Sequence, residues 1–332
     1  MSYPSVLFHK AASETALFAM SIIFGSSLSM GVVLFTCYAR KYPEFLKICT
    51  FLGKFDHDLQ LESPEYWITE NVPIIVISTV TPIILEGSKQ YAMSMMEEHE
   101  LVIRRIIAYF YVTAALCGKT VMLIHFQHVA CGIAKRFRLV NSRIRLLVMK
   151  ESLRLSVLRR NPPYVDRRQD YTSCKKFKSL LSAYHLLCDA VYQANVFYGY
   201  LLLATIFCTF ITITECLYFF SLFIIDGKVI ISVTISIWIF NNATFLVLIA
   251  RCGSHVSEMA GDTAPLIRKL INENVGSGLR EELKSFLLQL VGTNVEFNAG
   301  GFFQINKETL TSIAAAVTTY LVIMIQFETQ SK

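Results

Sequence analysis

The sequence predicts an all-α, polytopic membrane protein, and three observations carry that prediction. Apolar residues fill 54% of the 332 positions and charged residues only 17%, whereas soluble domains are nearer a quarter charged. Apolar stretches recur from Glu14 to Phe327 with no Gly-, Ser- or Pro-rich linker between them, so residues 1–332 read as one integral domain. Lys and Arg concentrate in one connection between such stretches, which membrane topology explains better than nucleic-acid binding does. A mean hydropathy of +0.47 agrees.

A helix rises about 1.5 Å per residue, so a hydrocarbon core of about 30 Å takes about 20 mostly apolar residues. Six stretches meet or approach this length, at 14–38, 72–85, 103–131, 195–225, 229–250 and 309–327. The first follows Lys10 and is too long for a signal-peptide core. The second is interrupted by Pro73 and Pro82, each of which removes a backbone donor, so it reads as a kinked span or a re-entrant segment.

Residues 132–194 carry fourteen Lys and Arg, which places that connection in the cytoplasm. Alternation then puts Glu97, Glu98 and Glu100 outside, the Asp226-Gly227-Lys228 turn outside, residues 251–308 inside and the C-terminus outside. Both cytoplasmic connections, 132–194 and 251–308, read as helical. Leu180, Tyr184, Leu187, Val191 and Ala194 recur at helical spacing, as do Leu283, Phe286, Leu287 and Leu290. Such stripes pack either within a subunit or between subunits. Asn161-Pro162-Pro163 breaks the helix between them.

Nine cysteines without a CxxC pair give no zinc or redox site, and His125 and His128 lack a third metal ligand. No Walker loop, GxSxG, HExxH or paired-carboxylate site occurs, so neither an enzyme, a cofactor nor a metal is expected. Asn242-Ala243-Thr244 matches a glycosylation sequon, but inside an apolar span. No nucleic-acid-binding motif accompanies the +6 net charge.

The C-terminal region is the most informative. Phe297-Asn298-Ala299-Gly300-Gly301-Phe302-Phe303 precedes a last span that ends in Thr319-Tyr320, five apolar residues and Gln326-Phe327. This run closely resembles the closing motif of the insect gustatory receptors, and the stretch 126–147 resembles that family's arginine-rich exit from the fourth helix. The resemblance implies a chemosensory, ligand-gated cation channel of the plasma membrane. It also implies a homo- or heterotetramer with other gustatory receptor subunits, in which the last helix of each subunit, 309–327, lines the pore. The family has seven spans and a cytoplasmic N-terminus; six are counted here, so the first family helix is expected to be missing.

Gln326 among apolar neighbours is costly in lipid, so it should face a water-filled path or a partner helix. Ile323 and Phe327, at i and i+4, share one face and could close a pore by dewetting. Ala314-Ala315-Ala316 permits close helix approach. Gly300-Gly301 would let a cytoplasmic half-helix meet the membrane half at an angle. The resemblance also implies a small-molecule tastant bound in the outer half of the bundle, where Tyr109, Tyr111, Thr214, Glu215 and Trp238 are the candidates. Glu215 is the sharpest, because a carboxylate inside a span is expensive. It binds a cationic ligand, attracts cations at the outer mouth, or snorkels to the headgroups. A G-protein-coupled chemoreceptor is the alternative, but it needs the opposite placement of both termini.

Overall fold

A computed structural model of the chain describes residues 14–60, 73, 76–77, 79–81, 83–84, 99–160, 167–273 and 276–330. The described residues form α1 (Glu14–Asp58), α2 (His99–Arg160), α3 (Arg167–Ile225), α4 (Val229–Gly261), α5 (Thr263–Ile271), α6 (Ser277–Val291) and α7 (Lys307–Gln330). Those between 73 and 84 are helical as well. Among the described residues the only β-type pairing is the isolated bridge between Asn298 and Gln304.

Helices α2 and α3 contain 62 and 59 residues, which makes each roughly 90 Å long, about three times a hydrocarbon core. Each is long enough to cross it and continue well beyond, and in α3 the stripe at 180–194 runs into the apolar stretch without a break, as its periodicity predicts. α2 stops at Arg160; the Asn161-Pro162-Pro163 break expected from the sequence lies outside the described residues. Among the described residues, three helical segments are long and apolar enough to cross a membrane by length and composition: Thr172–Ile225, Val229–Ile271 and Lys307–Phe327. The other three expected spans fall partly or largely on residues whose side chains are outside the described set.

α3 is the central element and packs against α1, α2, α4, α6 and α7. Its stripe of Leu180, Tyr184, Leu187, Val191 and Ala194 is buried, as are Leu283, Phe286 and Leu290 of α6. Phe286 meets Phe177 and Tyr184 edge-on at 5.9 and 5.3 Å. Both stripes are thus consumed inside the subunit, which decides between the two partners they could have had. What α6 leaves outward is Leu288 and Val291.

One ion pair ties the C-terminal end of α1 to α2. Arg136 on α2 donates from Nε and Nη2 to the two carboxylate oxygens of Asp56, at 2.9 and 2.6 Å. Arg143, about two turns further on, donates to the Leu59 carbonyl at 3.1 Å. The arginine-rich exit from the bundle is therefore in part structural rather than purely a topology signal.

Candidate functional site

The Phe297–Phe303 run forms a tight hairpin rather than a bend between two helices. Ile305 N–H donates to the Phe297 carbonyl at 2.8 Å, and Ala299 N–H to the Phe303 carbonyl at 2.9 Å. Gly300 and Gly301 occupy its tip with φ of 61° and 83°, a region open to glycine at no steric cost. The expectation of an angled helix junction at these glycines is corrected accordingly: α6 ends at Val291 and α7 begins only at Lys307.

The hairpin is wedged between α3 and α4. Asn195 of α3 reads it from both sides, donating to the Glu296 carbonyl at 2.7 Å and accepting from Asn298 N–H at 3.0 Å. A methyl on Gly199 would come within 3.1 Å of Gly300 N, so the helix backbone itself approaches the tip. Phe297 is fully buried and meets Phe126 of α2 edge-on at 5.1 Å. Phe126 continues to Tyr198, whose hydroxyl lies 2.9 Å from His125 Nδ1. His125 thus has a hydrogen-bonding and packing role, and no group of metal-binding side chains forms among the described residues.

From this base α7 starts cleanly. Asn306 accepts from Thr309 N–H at 3.0 Å, the side-chain cap that satisfies a free donor of the first turn. Lys307 pairs with Glu258 of α4 at 2.7 Å. Beyond the root, the helix is bare: 6% of its most apolar 18-residue window is buried. Ile323, Gln326 and Phe327 are all exposed. Thr319 donates to the Ala315 carbonyl of its own helix. Tyr320 touches Phe210 of α3 edge-on, 5.8 Å between ring centres. Between α3 and the lower half of α7 lies an open groove of about 620 Å³, lined by Leu203, Ile206, Phe207, Phe210, Ile313 and Ala316 together with polar residues of the α7 root.

The candidate ligand residues divide. The side chains of Tyr109 and Tyr111 lie outside the described residues. Thr214 is buried, and its hydroxyl donates to the Phe210 carbonyl of its own helix. Trp238 is half-buried against the core. Glu215 is only 3% exposed, which excludes snorkelling, and neither of its oxygens has a hydrogen-bond partner. Asn241 is buried with both amide atoms unpartnered, and nothing in the sequence distinguishes it from the Asn242 sequon beside it. Sequence reasoning passed over Lys119, a buried lysine beside Cys208 and Cys216 of α3. A lysine inside an apolar stretch was the available signal.

Long apolar helices and a hairpin-rooted terminal helix define a polytopic helical membrane protein. The fold agrees with that of the insect olfactory receptor OR5 from Machilis hrabei, with a TM-score of 0.61 at 11% identity, over 96% of this chain and 84% of that one. The sequence matches the 7tm chemosensory receptor family over residues 1–331, and the chain belongs to that family. Among its relatives in Drosophila melanogaster, gustatory and pheromone receptor 32a is 35% identical over 126 residues, 36% of this chain and 26% of that protein. Gustatory receptor 68a is 34% identical over 93 residues, 28% and 23% of the two chains. The chain spans about a quarter to a third of the length of such relatives. Its family is one of chemosensory receptors, and its fold is that of a multi-pass membrane protein.

Proposed function

We propose that this receptor is a gustatory, ligand-gated and non-selective cation channel of the plasma membrane, built as a homo- or heterotetramer with other gustatory receptor subunits. A small-molecule tastant reaches the outer half of the bundle from outside, and membrane lipid surrounds the assembly. Residues 132–194 and 251–308 form the cytoplasmic anchor, and 309–327 form the pore helix. The C-terminus lies outside. The gustatory relatives support the class of ligand.

The observation that carries this reading is the contrast along α7. Its root is held by Asn306, Lys307 and the hairpin, whereas Ile323 and Phe327 remain 39% and 61% exposed within the subunit. Lipid would cover the apolar residues, but Gln326 in hydrocarbon is expensive. A shared axis lined by several copies of α7 gives Gln326 water and lets Ile323 and Phe327 form apolar rings that hold a closed pore dry.

Whole-cell recording on Ile323→Ser, Phe327→Ser and Gln326→Glu tests it. Either serine should raise resting current without ligand, and Gln326→Glu should change ion preference or block. Ile325, on the other side of the helix, is the control. Normal surface expression and ligand-evoked current with unchanged leak and selectivity in all three would remove α7 from the pore.

A further inference from the structure

Cys131 of α2 and Cys252 of α4 are thiols in hydrogen-bonding contact with each other. Helix register supports that contact independently. α2 and α3 run in opposite directions, since Phe126 meets Tyr198 whereas Phe137, further along α2, meets Tyr184. α4 turns back from α3 at Gly227, so α2 and α4 run the same way and keep a nearly constant offset in residue number. Asn141 fixes that offset. Its Nδ2 donates to the Met259 carbonyl at 3.0 Å and its Oδ1 accepts from Thr263 Oγ1 at 2.8 Å, partners 118 and 122 positions further on. The separation of Cys131 from Cys252 falls between those two values. With no CxxC spacing between them, the sequence alone gives no sign of the pair.

The two sulfurs differ in access. Cys252 is 6% exposed, whereas Cys131 is only half-buried, so a small solute reaches Cys131 first. Lys135 stands one turn from Cys131 on the same helix face, a cation beside the sulfur that reacts. An accessible thiol poised next to a second, sheltered one is the arrangement that peroxide-responsive cysteines use, with the sheltered thiol resolving the oxidised one.

We infer that Cys131 and Cys252 are a modification site, a pair that a peroxide joins in a reversible disulfide between α2 and α4. Peroxide oxidises the Cys131 thiol to a sulfenic acid and is itself reduced to water. The Cys252 sulfur then attacks the Cys131 sulfur; the S–O bond breaks, and the hydroxyl leaves with the Cys252 proton as a second molecule of water. Two glutathione thiols reverse the step by exchange and become a disulfide in turn. The bond fastens two helices beside the hairpin that roots α7, because Gly253 follows Cys252 directly and a methyl there would stand 2.3 Å from the Ile305 carbonyl oxygen. None of this requires α7 to line a pore or the outer half of the bundle to hold a ligand.

The test treats the purified full-length receptor in lipid nanodiscs with hydrogen peroxide, alkylates the remaining thiols and identifies disulfide-linked peptides by mass spectrometry. The peptide joining Cys131 to Cys252 should exceed every other cysteine pairing by at least about tenfold, because thiols already in contact react as if within one molecule. Dithiothreitol should remove it, and receptor unfolded in denaturant before the peroxide should lose the preference. Oxidation should also raise the melting temperature of the wild type, as a cross-link constrains the unfolded chain, and slow hydrogen exchange over residues 297–306. Cys131→Ser and Cys252→Ala should show neither change. The wild-type peptide map decides even where a variant does not fold. Absence of the linked peptide from the oxidised wild type, an equal yield from unfolded receptor, or the same gain in melting temperature in both variants would overturn the assignment. The measurement needs no conduction, so its failure leaves the pore reading standing, and a silent channel leaves this test intact.

Discussion

A methyl group on Gly253 of α4 would stand 2.3 Å from the carbonyl oxygen of Ile305, so helix and hairpin touch backbone to backbone. No side chain can give way at such a contact, and one of the two segments must move.

Gly253→Ala is therefore expected to destabilise the hairpin by on the order of 1–3 kcal/mol or more, as overpacking does. Hydrogen exchange over residues 297–306 should speed up, and the root of α7 should loosen with it. Gly261→Ala in the same helix meets nothing within 4 Å, so it should leave exchange in the hairpin unchanged. Equal exchange in the two variants would show that the contact has no role in holding the hairpin.

The fork of Arg136 on Asp56 joins α1 to α2 with its guanidinium nearly buried. Removing one member leaves the other uncompensated, so Arg136→Ala should cost about 3 kcal/mol or more. The double variant Arg136→Leu/Asp56→Leu should recover part of that loss. Melting temperatures in detergent decide, and a double variant no better than the single one would mean that the pair contributes through packing alone.

The Lys and Arg bias predicts an external C-terminus. A tag appended at Lys332 should stain on intact cells. Staining that requires permeabilisation would invert the topology and favour the G-protein-coupled alternative.

Assembly is expected to use what α6 leaves outward. Leu288 and Val291 are 77% and 80% exposed, whereas Leu283 is fully buried. Leu288→Glu with Val291→Glu should reduce cross-linked oligomers at unchanged subunit stability, and Leu283→Glu should unfold the subunit. Oligomers that survive the outward pair would place the cytoplasmic interface elsewhere.

The helical, membrane-spanning class was legible because apolar length and charge bias are averages over many residues. The closing motif was legible because its residues are contiguous. Contacts between distant segments were not. Gly199 and Gly253 look like ordinary helix-weakening residues in the sequence, yet each makes room for a backbone about 50 to 100 positions away. The stripe at 180–194 announced a buried face without naming what covers it, and the cover turned out to be the same subunit. Glu215 stood out because it is charged. Asn241 did not, because a neutral amide in a helix is unremarkable until burial and the lack of a partner are known.

The bareness of α7 also bears on how its sequence can change over generations. The bundle places almost no demand on residues 318–327, so substitutions there are nearly neutral for the folding of the chain that carries them. Any restraint on that segment must come from neighbours outside the subunit. Variation between paralogues at Val322, Ile323, Ile325 and Phe327 would then record the history of the assemblies they joined, independently of the history of the fold.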